Sequence, residues 1–154
     1  MVRTLRAGII GSTGHGNYGH QIDTAYEGLS SVEVVAVTDP DTAGREAAAA
    51  RTGANKLYAD YREMLLAEDL DLVNVCPRHV DHHAEMVIAA VEAGVRGILC
   101  EKPMAPTLAQ ADAMLVACQS AGTRMAVAHR RASAYEQRGK QLVSEGLIGE
   151  VRII

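Results

Sequence analysis

Five short apolar runs recur along the chain, and none of them alternates polar with apolar residues: Leu5–Ile10, Val32–Thr38, Leu72–Cys76, Gly97–Cys100 and Met125–His129. Unbroken hydrophobicity of this length predicts strands buried on both faces, the habit of parallel sheets. The stretches between them have helical pattern. Predicted helices span Asn17–Leu29, Thr42–Arg51, Tyr61–Ala67 behind the N-cap Asp60, His82–Ala93 up to Gly94, and Leu108–Ala121 between Thr107 and Gly122. Strand and helix in alternation, joined by short links, give right-handed βαβ units. The expected fold is α/β, a doubly wound parallel sheet with helices on both faces.

A chain of 154 residues is long enough for one domain with a real core. Phe and Trp are absent and there are five Tyr, so that core must be aliphatic. The net charge of −4 gives no reason to expect nucleic acid or an acidic membrane as partner. Cys76, Cys100 and Cys118 are odd in number, widely spaced and form no CxxC pair. They argue against a disulfide framework and for a reducing, cytoplasmic setting. The apolar run Ala7–Ile10 is too short for a signal-peptide core or a membrane span.

Charge is unevenly placed. Residues 1–123 hold nine Lys/Arg and sixteen Asp/Glu, whereas residues 124–154 hold six and three. A helical stretch at Tyr135–Glu145 leads to Gly146–Gly149 and then to Glu150–Ile154, which starts like a strand. Residues 1–129 are therefore expected to form one domain. Residues 130–154 are expected to be a junction helix and the first strand of a second structural unit, cut short here.

The first strand runs into Gly11-Ser12-Thr13-Gly14-His15-Gly16-Asn17-Tyr18-Gly19. A strict G-x-G-x-x-G fits at Gly14, Gly16 and Gly19, but Gly11 occupies the usual place of the first glycine. In both registers the turn lets backbone approach a pyrophosphate, with the next helix N-terminus adding N–H groups and a positive dipole end. Gly11, Ser12, Thr13, Gly14, His15 and Gly16 are thus the candidate phosphate-binding residues. Asp39 closes the second strand, twenty residues past Gly19. There a carboxylate accepts from ribose hydroxyls and repels a 2′-phosphate, which predicts NAD over NADP, with Arg45 as a partial offset. The alternative use of Asp39-Pro40-Asp41 is to cap the following helix.

Glu101-Lys102-Pro103 follows the Gly97–Cys100 strand, at the end of the sheet that borders the ligand crevice. A lysine there can hydrogen-bond a substrate hydroxyl and stabilise oxyanion character; the alternative is a surface lysine in a turn. After the Leu72–Cys76 strand, His79, His82 and His83 lie near Asp81 and Glu85. The cluster matches no zinc-site pattern and reads as a helix start beside the ligand crevice, so no metal is expected and at most one histidine is functional.

Taken in order, these residues resemble the Gfo/Idh/MocA oxidoreductases. The resemblance rests on the glycine turn, Asp39, Pro77 with a histidine downstream, the helix end at Gly94, Ile98–Met104 with its Glu-Lys-Pro, and Gly146–Val151. It implies a Rossmann-type domain, NAD(H) or NADP(H) as cofactor, and hydride transfer from a sugar, cyclitol or related hydroxy compound. It also implies that Lys102 is catalytic and that Glu101 lies beside the nicotinamide ribose. Pro77 and one of His82 or His83 would line the cofactor site, with His83 favoured by its distance to Gly94. The full protein would be a homo-oligomer. This chain departs from the family in its longer glycine loop, and it lacks the family's second domain with its catalytic His/Asp pair. By itself it is expected to bind NAD(H) and turn over no sugar. Two other functions are carried forward: a redox-neutral, NAD-dependent glycoside hydrolase of the same family, and a non-catalytic nucleotide-binding module.

Overall fold

The computed structural model describes residues 3–129 and 134–152. Six strands form one parallel sheet: β1 (Leu5–Ile10), β2 (Val32–Thr38), β3 (Lys56–Tyr58), β4 (Leu72–Val75), β5 (Gly97–Cys100) and β6 (Arg124–Val127). Their spatial order is β3-β2-β1-β4-β5-β6. The order reverses between β1 and β4, and in such sheets ligands bind outside the carboxyl ends of the strands at that point. The five apolar runs all become strands, with ends shifted by a residue or two. The sixth, β3, was not expected: it has only three residues, one of them Lys56, and pairs along the edge with Ala36–Thr38.

Helices α1 (Thr42–Thr52), α2 (Tyr61–Ala67), α3 (His83–Glu92), α4 (Leu108–Ala121) and α5 (Ala134–Ser144) follow. Their starts are chemically set. Asp41 accepts from Gly44 N, Asp60 from Arg62 N and Thr107 from Gln110 N, each satisfying a backbone donor that the helix leaves open. Helices α2, α3 and α4 cover one face of the sheet, over Ile10, Val73, Val75 and Ile98. The other face buries Ile9, Val37 and Cys76 beneath Ala48 of α1 and Tyr18 of the glycine loop. No helix among the described residues is long and apolar enough to cross a membrane.

The helix expected at Asn17–Leu29 does not form. The segment is a series of turns with a single 3-10 turn at Ile22–Thr24. Asn17 and Gln21 adopt positive φ, of 52° and 62°, and glycines of the loop do the same. Left-handed residues at this density cannot propagate a right-handed helix. No helix N-terminus therefore follows the glycine turn. At the other end, α5 has no buried residue, and Leu147, Ile148 and Val151 are exposed. Glu150–Arg152 carries no regular structure, and the last two residues of the strand expected there, like residues 130–133, lie outside the described residues.

Glu68, at the end of α2, ties three elements together. Its carboxylate, 2% exposed, accepts from Arg6 of β1 and from Lys56 and Tyr58 of β3. Burial pushes its carboxyl up, but the hydrogen bonds from Lys56 and Tyr58 and the charges of Lys56 and Arg6 outweigh this and hold it below the ordinary value of 4.5. A lowered folded pKa adds stability that is complete above the ordinary carboxylate range and is lost as pH falls through the folded value. Thermal melts of wild type and Glu68→Gln should accordingly differ most above about pH 5, and the difference should shrink progressively as pH falls below the ordinary carboxylate range. A constant offset across that window would remove Glu68 from the acid transition.

Candidate functional site

The expected site residues all follow carboxyl ends of strands, so one rim of the sheet carries them. Gly11–Gly16 follow β1, Asp39 follows β2, Pro77 follows β4, and Glu101 and Lys102 follow β5. The glycine loop lies across this rim on three anchors. Near its start, Thr13 donates from its N–H (3.0 Å) and its hydroxyl (2.8 Å) to the Asp39 carboxylate, which also accepts from Asp41 N. At its middle, Gly16 O accepts from Arg78 N at 3.1 Å. At its end, His20 N and Nδ1 lie 3.0 and 2.9 Å from the Glu101 carboxylate, to which Lys102 N also donates.

Asp39 and Glu101 are consequently both fully buried. Burial alone would push the Glu101 carboxyl up, but the donors from His20 and Lys102 N hold it below its ordinary value. In this structure the two acids hold the loop and are not surfaces of a cleft. Arg45, the possible offset to Asp39, donates to Asp39 O and Thr42 Oγ1. His83 is buried as well, with its two ring nitrogens 3.0 and 2.6 Å from Pro103 O and Pro77 O. It joins the chain after β4 to the chain after β5 from beneath, while His82 is the histidine that reaches the cleft surface.

Two cavities open on the rim. One, of about 540 Å³, is lined by Gly11, Ser12, His15, Arg62 and His82, with Thr38 and Pro40 flanking the buried Asp39. The second, of about 620 Å³, is lined by Lys102, His20, Leu99, Val127 and His129. The glycine loop runs between them, giving His15 to one and His20 to the other. A smaller concavity at the amino ends of β1 and β2, around Thr4, Val32 and Arg51, is remote from every expected site residue.

Both cavities have the size of ligand sites, on the order of 300–1,000 Å³. In the first, several loop N–H groups that would greet a phosphate are already used: Gly11 N on Thr38 O, Ser12 N on Asn17 O and Gly14 N on Asn17 Oδ1. The side chains on its wall with the chemistry to hold an anion such as a diphosphate are Ser12 and Arg62, the latter also paired with Glu85. Arg62 was not foreseen, because nothing local marks one exposed arginine at the start of α2; only the sheet order brings it opposite Gly11. Cys76 and Cys100 are packing residues, and burial pushes the Cys100 thiol up to about 12, away from nucleophilic use.

The sequence and the fold both match known proteins. A family described as "Oxidoreductase family, NAD-binding Rossmann fold" matches residues 5–129. D-apiose dehydrogenase of Paraburkholderia graminis is 40% identical over 103 residues, covering 67% of this chain and 27% of that protein. Inositol 2-dehydrogenase of Salmonella typhimurium is 34% identical over 152 residues, covering 96% and 44%. The crystal structure of the WlbA dehydrogenase from Bordetella pertussis in complex with NADH and UDP-GlcNAcA is 27% identical. It superposes with a TM-score of 0.74 over 94% of this chain and 43% of that one. The chain thus spans less than half the length of these relatives. It belongs to the Gfo/Idh/MocA oxidoreductase family, and residues 5–129 are that family's NAD-binding Rossmann fold.

Proposed function

We propose that this chain is the cofactor domain of an NAD(H)-dependent dehydrogenase that oxidises a sugar or cyclitol hydroxyl. The observation that carries this is Lys102: half-buried, on the wall of the 620 Å³ cavity, held at its backbone by the buried Glu101 carboxylate, and on the same rim as the glycine loop. A nicotinamide dinucleotide bound on this rim supplies the hydride acceptor. The Lys102 ammonium would hydrogen-bond the substrate oxygen and stabilise the alkoxide character that develops as a base of the second domain takes the hydroxyl proton, before hydride passes from the carbon to the nicotinamide. Arg62 and Ser12 hold the diphosphate, and Glu101, Asp39 and His83 keep the rim rigid beneath it. The relatives' names, all acting on sugars or cyclitols, support that substrate class.

The rest of the substrate grip lies in a second domain for which α5 and the residues after it are the approach. The exposed Leu147, Ile148 and Val151 support this, as side chains that further chain or a second copy covers. In this reading the protein is cytoplasmic and a homo-oligomer.

Asp39 favours NAD over NADP. Its buried carboxylate lies behind Thr38 and Pro40 on the wall of the 540 Å³ cleft, where its charge opposes a 2′-phosphate, and Arg45, donating to Asp39 O, offsets that charge only in part. Calorimetric titration of the chain should give a Kd for NAD⁺ at least about tenfold below that for NADP⁺, a difference of about 1.4 kcal/mol. Tighter NADP⁺ binding would overturn the cofactor choice, and binding of neither would overturn the function.

A further inference from the structure

The glycine loop and the turn after β4 bring together side chains far apart in sequence. His15 Nε2 lies 2.9 Å from Asp81 Oδ2, and His82 Nε2 lies 3.5 Å from the same oxygen. One ligand atom from each residue falls within 4.8 Å of the other two. We propose that His15, Asp81 and His82 form a divalent transition-metal site on the rim of the 540 Å³ cleft, with zinc as the ion it takes.

The donor set selects the ion. Two imidazoles and one carboxylate suit zinc and its transition neighbours, whereas magnesium and calcium prefer shells of oxygen. Tetrahedral ligation at about 2.0–2.2 Å sets donor atoms about 3.4 Å apart. The separations of 2.9 and 3.5 Å from Asp81 bracket that value, and all three donors lie within 4.8 Å of one another. The side chains are 44%, 52% and 54% exposed, and an ion reaches them without opening the fold. Three protein ligands also leave a fourth position, on the side where His15 and His82 line the cleft.

The surroundings of the three residues are those of a metal site. Metal-bound imidazoles have their second ring nitrogen held by another group, which fixes tautomer and ring direction. His82 Nδ1 lies 3.4 Å from Glu85 Oε2, and Glu85 is itself paired with Arg62. His15 Nδ1 lies 3.2 Å from His79 Nδ1. Both imidazoles are thus oriented from behind while their Nε2 atoms converge on Asp81. A scan of the 77–83 segment by spacing misses this arrangement, because one ligand comes from 66 positions upstream.

Titrating ZnCl₂ calorimetrically into the metal-free 154-residue chain tests it. One equivalent should saturate, and His15→Ala, His82→Ala and Asp81→Asn should each weaken binding by at least about tenfold. Glu85→Gln, which leaves all three ligands in place, should weaken it less. The substituted side chains are exposed, and thermal melts without zinc check that each variant retains the fold. In the NMR spectrum, one equivalent of zinc should shift the His15 and His82 imidazole resonances and leave His83 and His129 in place. Absence of a saturable equivalent, an affinity indifferent to His15→Ala and His82→Ala, or shifts confined to other histidines would each overturn the assignment.

Discussion

Gly16→Ala should lower the melting temperature by on the order of 10 °C and abolish measurable NAD⁺ binding, whereas Gly14→Ala should cost only a few degrees. The two glycines share the same local strain, with φ of 92° and 80°, which costs an L-residue about 1–2 kcal/mol. They differ in what stands beside them. A Cβ on Gly14 would meet nothing within 4 Å, but one on Gly16 would sit 2.3 Å from Arg78 N and 2.5 Å from His79 N. Those are backbone atoms and cannot rotate away, so the loop must lift off the chain after β4 and lose the Arg78 N to Gly16 O hydrogen bond. Overpacking of this kind adds about 1–3 kcal/mol. Lifting the loop also displaces Ser12 and His15 from the cleft wall, which links the loss of stability to the loss of binding. Equal melting temperatures for the two variants would show that the middle anchor does not hold the loop.

That anchor marks the border between what the sequence declares and what it conceals. The strands β1, β2, β4, β5 and β6 and the helices α1, α2 and α4 were legible because apolar runs and capping side chains are local signals, even though β6, at the edge, buries no residue. Lys56–Tyr58 was not, because an edge strand of three residues needs no apolar pattern. The missing helix after Gly11 is a conflict between signals. Residues 17–29 have apolar spacing suited to a helix, yet the left-handed backbone at Asn17, Gly19 and Gln21 decides the outcome first.

At the site, sequence order placed Asp39, Glu101 and Lys102 on one rim of the sheet, since each follows a strand. It could not tell an exposed acid from a buried one. Thr13 folds onto Asp39, and His20 onto Glu101, through contacts spanning 26 and 81 positions. The same limit applies to His82 and His83. Adjacent residues at a helix start point in different directions, and only the Pro77 and Pro103 carbonyls settle that His83 turns inward.

Lys102→Met, in the enzyme form that turns over substrate, should reduce kcat by about 10²–10⁴-fold while changing the Kd for NAD⁺ by less than about twofold. The size follows from the role: a charge aimed at an oxygen that gains alkoxide character only as its proton is withdrawn on the way to hydride transfer acts on the transition state far more than on the ground state. The selectivity follows from the geometry. Lys102 lines the cavity at β5 and β6, and Arg62 and Ser12, proposed to hold the diphosphate, line the other one. Its backbone N–H, which Glu101 holds, survives the substitution, so the rim keeps its shape and the melting temperature should stay within about 2 °C of wild type. Lys102→Arg should recover part of the rate, since it retains the charge but replaces a compact ammonium with a broad planar group. Steady-state assays following NADH absorbance, with calorimetry on the same samples, separate the possibilities. A Lys102→Met enzyme that weakens NAD⁺ binding and kcat in proportion would make Lys102 a cofactor contact. One that leaves kcat unchanged would remove it from the chemistry.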